Sequence, residues 1–172
     1  IKKEDYIDEV IKFCIDIKAA YLTVHFNQLS YEIIEYLIKN LKKTDLSIEN
    51  VIPDGHSLYD INYIDFMKIC SEKYKVYSTL DIGHCVINGY DPIQYSELLS
   101  QNDIKVLSVH LHNNDKISDT HQSLEKGLID YQTVIPHLIK KVRSEYYVIE
   151  HWSGNERSLK YFLDIINYNK LL

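Results

Sequence analysis

Apolar residues recur at helical spacing over residues 4–17, where Tyr6, Ile7, Val10, Ile11, Cys14 and Ile17 share one face. The next stretch, AAYLTVHF at 19–26, is β-prone and almost unbroken in apolarity, as a strand buried on both faces should be. The alternation then repeats. A helix is predicted near 31–43 from Ile33, Ile34, Leu37, Ile38 and Leu41, followed by a short strand at 46–50 and a helix near 60–74. Next come a strand VYSTLDIGH at 76–84, a helix near 92–101 and a strand VLSVHLHN at 106–113. A helix follows Asp130, a strand YYVIEHW spans 146–152, and a last helix runs from about 156 to 168. Pro136 sits inside the helix after Asp130, so that helix either starts later than its cap suggests or is kinked.

Five strands alternating with six helices require right-handed βαβ crossovers and a parallel sheet, an α/β architecture. In such folds active sites form at the C-terminal ends of the strands. His25, Glu49, Asp81 with His84, His110 with His112, and Glu150 with His151 all fall at or near such ends. Taken singly, His25 or His151 reads as a boundary residue, Glu49 as a capping or solvated carboxylate, and Asp119 with His121 as part of a polar turn. Taken together, charged and imidazole groups at five successive strand ends are costly to bury unless they converge on a cation that neutralises them. His110 and His112 point to the same face, where only one need bind metal while the other orients it or meets substrate. His56 and His137 lack such a setting and read as surface or helix residues.

With 172 residues, 45% of them hydrophobic, the chain is predicted to form a single domain over 1–172. The net charge of −6 offers no global basic field for nucleic acid. Cys14, Cys70 and Cys85 form no CxxC pair and are odd in number, which argues for reduced thiols and a cytoplasmic setting. No apolar run approaches the length of a membrane span.

IEN at 48–50, LDIGH at 80–84, VHLHNND at 109–115, SDTH at 118–121, EKGLIDY at 125–131 and VIEHW at 148–152 resemble, in order and spacing, motifs of the xylose-isomerase-like TIM-barrel superfamily. That superfamily holds sugar phosphate isomerases and epimerases and the zinc enzyme endonuclease IV, of AP endonuclease family 2. The resemblance implies a (β/α)8 barrel of which this chain supplies about the last five strands. A whole barrel runs to about 250 residues, so roughly three further βα units would complete it. Otherwise the open edges must be covered by association, for instance with another copy of the chain.

The resemblance further implies that Glu49, Asp81, His110 and Glu150 ligate one divalent cation, Mn, Mg, Co or Zn. In the endonuclease branch His25 and Glu49 would help hold a second ion, while His84, Asp119 and His121 would hold a third. Two departures are visible: Asn113 stands where an acidic residue is common, and of the Gly-rich stretch only Gly127 remains. Three functions are expected in this order. The first is a metal-dependent sugar or sugar-phosphate isomerase or epimerase, with Glu49 and Glu150 as acid–base groups working through an enediolate and His84 and His112 binding substrate. The second is an endonuclease IV-like zinc phosphodiesterase acting at abasic DNA. The third is a non-catalytic truncated barrel.

Overall fold

The computed structural model describes residues 3–52 and 62–171. His56 and the first residues of the helix expected near 60–74 lie outside them. Five parallel strands, β1 (Tyr21–His25), β2 (Asp45–Glu49), β3 (Val76–Asp81), β4 (Val106–Leu111) and β5 (Tyr146–Ile149), form one sheet in the order of the chain. Every crossover therefore steps in the same direction, as in the winding of a barrel; a doubly wound sheet would reverse. The sheet is also curled. In a flat sheet β1 and β5 would stand roughly 19 Å apart at the usual strand spacing. Instead the rings of Tyr21 and Tyr146 meet at 4.7 Å between centroids.

The helices are α1 (Lys3–Asp16), α2 (Tyr31–Leu41), α3 (Tyr63–Lys73), α4 (Ile82–Ile87), α5 (Pro92–Gln101), α6 (Tyr131–His137) and α7 (Asn155–Tyr168). Side-chain caps start several of them where the sequence predicts: Ser30 accepts from the Ile33 amide, Asn62 from Asp65, Asp91 from Ile93 and Gln94, and Asp130 from Gln132. Each such cap contributes about 1 kcal/mol. The helix after Asp130 does begin at its cap, and the chain meets Pro136 near its end. The ring cannot donate to the carbonyl of Gln132, and the following residues Leu138–Val142 widen into a π turn.

All five predicted strands run past their true ends, the one at 46–50 by Asn50 alone. The LDIGH segment is the clearest case: β3 stops at Asp81, and residues 82–84 open α4. The Asp81 carboxylate accepts the His84 amide at 2.7 Å, so the residue read as a strand end is also a helix cap. Likewise β4 ends at Leu111, β5 at Ile149, and β1 passes into a 3₁₀ turn at Phe26–Gln28.

Period two sorts the strand residues. Ile48, Leu80, Val109 and Leu111 are fully buried, alternating with Ser47, Glu49, Thr79, Asp81, Ser108 and His110. Residues of β2, β3 and β4 are nearly all buried, whereas β5 is only half-buried throughout and β1 is half-buried except for the exposed His25. The thiols of Cys14, Cys70 and Cys85 are all free and buried.

Candidate metal centre

Glu49 and Asp81 end β2 and β3, His110 is the penultimate residue of β4, and Glu150 follows β5 directly. The parallel register sets Asp81 opposite His110 and His25 opposite Glu49. Curling of the sheet then brings one donor atom from each of Glu49, Asp81, His110 and Glu150 within 4.8 Å of the others. Ligands around one ion span at most about 4.2 Å, so small side-chain rotations would complete a coordination sphere.

Three observations fit these residues to a cation. Asp81 Oδ2, His110 Nδ1 and Glu150 Oε2 are buried without a hydrogen bond. His110 Nδ1 lies 2.8 Å from Glu150 Oε2, yet the contact lacks hydrogen-bond geometry, as when two ligands face a common point and not each other. The donor set of three carboxylates and one imidazole also suits a divalent first-row metal or Mg.

Glu49 is 3% exposed and touches His25, His84 and His110 at 3.8, 3.4 and 3.5 Å. Burial would raise its pKa, but the neighbouring imidazoles of His110, His84 and His25 bring it down to about 2. Burial opposes a proton on His84 and His110. The carboxylates of Asp119, Glu49 and Asp81 nevertheless hold His84 up to about 11, and those of Glu150 and Glu49 hold His110 up to about 10. In the metal-free protein cationic imidazoles thus neutralise the carboxylates.

A pH dependence follows. The raised histidines favour the folded state fully below their ordinary value of 6.5 and lose that contribution as pH rises through about 10 to 11. The depressed Glu49 contributes above 4.5 and loses its contribution as pH falls towards about 2. Metal-free protein should therefore melt highest between about pH 4.5 and 6.5. Metal must displace these protons, so affinity should rise by roughly tenfold per pH unit for each proton released. Calorimetry from pH 6 to 8 in buffers of differing ionisation enthalpy checks both the slope and the proton count.

A second group adjoins the first. His84, His112, Asp119 and His121 also place one donor atom each within 4.8 Å of one another. Asp119 lies between the three rings, 3.4 Å from His84, 3.7 Å from His112 and 3.2 Å from His121. The neighbouring positive charge lowers the pKa of Asp119 despite the opposing effect of burial. His112 and His121 stack face to face with centroids 3.9 Å apart. The His121 Nδ1 donates to the Glu150 carbonyl at 2.9 Å, tying the loop to β5. His25, by contrast, belongs to neither group; it sits half-exposed on the rim beside Glu49.

His112 is fully buried and its Nε2 bonds Asp81 Oδ1 at 3.1 Å. Of the two roles open to it, orienting a ligand is the one its burial favours. His137 half-buries in α6 and meets Ser96 at 3.0 Å, away from both groups.

Several functional positions carried no distinctive mark in the sequence. The Asn50 side chain exchanges hydrogen bonds with the backbone of Asp81, at 3.0 and 2.8 Å, and the Asn50 backbone carbonyl lies 3.0 Å from His84 Nδ1. It clamps β2 to β3 beside the site. The Asn113 amide donates to the Leu124 and Ile129 carbonyls while its oxygen accepts from the amides of Asn114 and Ile129. An aspartate could not make those two donations, so the departure from the acidic residue serves to hold the loop that carries Asp119 and His121. A Cβ at Gly127 would collide with the Asn113 side chain, which explains why this glycine remains. Trp152 is 89% exposed at the mouth, its ring 6.3 Å from that of His121. In the sequence it stands two residues after Glu150, the acid at the end of β5.

Gly83 packs flat against His112, and a Cβ there would overlap the Cε1, Nε2 and Nδ1 atoms. Gly83→Ala should push the ring off Asp81, cost about 1–3 kcal/mol, and disable the second group before the first. Metal titration of that variant, read as stoichiometry, checks this. Equal stoichiometry and wild-type stability would contradict the packing.

No family model matches the chain, and no curated protein matches it. Solved structures do. One is a D-tagatose 3-epimerase-like protein, 20% identical, with a TM-score of 0.62 over 93% of this chain and 68% of its own. Another is the TTHB071 protein from Thermus thermophilus, from a crystal soaked with ZnCl2, 15% identical, with a TM-score of 0.66 over 92% of this chain and 66% of its own. This chain thus spans about two thirds of the length of each. At such identities the likeness speaks for the fold: five strands and their helices of a (β/α)8 barrel, in agreement with the xylose-isomerase-like superfamily that the sequence motifs resemble.

Proposed function

We propose that this chain carries the catalytic face of a divalent-metal-dependent sugar or sugar-phosphate isomerase or epimerase. The observation that carries the reading is the convergence of Glu49, Asp81, His110 and Glu150 from four strands, with buried donor atoms left without hydrogen-bond partners. The likeness to a D-tagatose 3-epimerase-like fold supports the substrate class. The cation these residues would hold would supply Lewis acidity, polarising a substrate carbonyl and acidifying the adjacent C–H.

The chain's own residues supply the rest. The Glu150 side chain is 43% exposed and so meets the substrate from the open side, where its carboxylate removes the proton. Glu49, 3% exposed, is the second acid–base group: in its protonated form it would deliver a proton to the opposite face, while the proton taken by Glu150 leaves to solvent. His84, with Nδ1 held by the Asn50 carbonyl, presents its Nε2 edge towards Asp119 and the mouth, where it would hydrogen-bond a substrate oxygen. His112 keeps Asp81 oriented. Three further βα units beside the half-buried edges would complete the barrel and supply the remaining specificity loops.

The second donor group favours an alternative reading, a zinc phosphodiesterase acting at abasic DNA, because adjacent ion sites suit in-line displacement at phosphorus. Metal analysis and two assays separate the readings. Solvent deuterium appearing in a ketose or aldose next to its carbonyl, with one ion per chain, is the expected result. Nicking of an abasic duplex with two or more zinc ions would favour the alternative, and a protein that retains no metal and performs neither reaction would overturn both.

A further inference from the structure

Beneath the donor residues the interior of the curled sheet is built of hydroxyls. Thr23, Ser47, Thr79 and Ser108 each stand two positions before His25, Glu49, Asp81 and His110. Period two puts them on the same face, one layer down and roughly 6.6 Å along the strand. Barrel interiors are ordinarily filled by Val, Ile and Leu, and buried hydroxyls are unfavourable unless each finds a partner. Here Thr79 Oγ1 is the common partner, 2.6 Å from Ser47 Oγ, 2.8 Å from Ser108 Oγ and 3.2 Å from Thr23 Oγ1. Ser47, Thr79 and Ser108 are all fully buried. One proton to give and two lone pairs to accept saturate Thr79 with these three contacts.

The same residue marks an irregularity in the sheet. Ser78 pairs with Val106, but Thr79 pairs with Ser108, so β4 gains a residue at Leu107. Above this bulge Leu80 faces Val109 and Asp81 faces His110. Had the lower register continued, Asp81 would face Val109, and His110 would be displaced by one position from its partner. The bulge is what sets the two donors side by side, and the Thr79–Ser108 contact lies at the first pair above it.

We propose that Thr79 is a positioning residue whose hydroxyl locks this shifted register and so brings Asp81 and His110 to coordination distance. The inference rests on the reading of Glu49, Asp81, His110 and Glu150 as a metal site. It acts through the strands and not by touching metal or substrate. A residue needed only for packing would tolerate an isosteric apolar replacement at the site itself, since Val has nearly the shape of Thr.

The test compares Thr79→Val with Thr79→Ser in the purified protein, reading Zn²⁺ affinity by chelator competition and the visible absorption of bound Co²⁺, with melting curves of the metal-free proteins alongside. Thr79→Val should bind Zn²⁺ at least tenfold more weakly with an altered Co²⁺ spectrum, while Thr79→Ser stays within about twofold of wild type with its spectrum intact. Should Thr79→Val fail to fold, Ser108→Ala removes one arm of the lock and is read in the same way, with a weakening of several-fold expected. Wild-type affinity and spectrum in the apolar variant, even with a lowered melting temperature, would overturn the proposal while leaving the metal reading intact. A wild-type protein that binds neither ion would remove the metal reading and this inference together.

Discussion

Glu49→Gln should leave the protein unable to hold a divalent metal in either donor group, and with it all activity. The carboxylate contacts His84, which belongs to the second group, and His110, which belongs to the first, so its charge is shared between them. It is 3% exposed, and an amide of the same shape supplies neither the charge nor the second acceptor oxygen. In the metal-free protein the two raised histidines would lose a counter-ion inside the sheet. Removing one partner from a buried charge cluster costs about 3–5 kcal/mol, to be discounted here because the imidazoles can release their protons. Metal content by mass spectrometry of the native protein, together with the alkaline shift of the melting curve, tests this. Retention of metal at the wild-type level would show that Glu49 is not a ligand.

Glu150→Gln should behave differently. Its side chain is 43% exposed, so the fold should persist, with a melting temperature lowered modestly at neutral pH because His110 loses a counter-ion. Turnover should nevertheless fall by about 10²–10⁴, the usual contribution of a positioned base, and further if the metal is lost as well. The His110 ring offers a readout independent of activity. Its pKa is held up to about 10 by Glu150 and Glu49 against the effect of burial, so loss of one carboxylate must move it downward. An NMR titration of the metal-free variant reads that shift directly. Wild-type turnover would dismiss Glu150 as the base, and an unmoved His110 would deny the contact itself.

The alternation of helix and strand was legible because it rests on local periodicity, and the five strands and six helices expected are all present. The short α4 was missed, since Asp81 reads equally well as a strand end and as a helix cap, and only its bond to the His84 amide decides between them. The strand-end rule pointed to His25, Glu49, Asp81, His84, His110, His112, Glu150 and His151 without sorting them; the resemblance implied the set Glu49, Asp81, His110 and Glu150 and added Asp119 and His121 to His84. The structure gathers Glu49, Asp81, His110 and Glu150 into one donor group and His84, Asp119 and His121, joined by His112, into a second. The roles of Asn50 and Gly83 were invisible, because an amide and a hydrogen atom carry no chemistry until their neighbours across the sheet are known.

From its residues alone, then, this protein had a parallel α/β plan and a set of acidic and imidazole groups at the strand ends, since hydrophobic spacing and the cost of burying charge act over short stretches of chain. Whether those groups meet was decided by tertiary structure: by the curl that brings Tyr21 to Tyr146, by the bulge at Leu107 that sets Asp81 opposite His110, and by the Asn113 bonds that fold Asp119 and His121 back over the sheet. Each depends on contacts between residues well separated in sequence, from 11 positions for Asn113 and Leu124 to the opposite edges of the sheet, or on a one-residue shift in pairing. Such a shift leaves the pattern along a single strand unchanged while altering which side chains stand together.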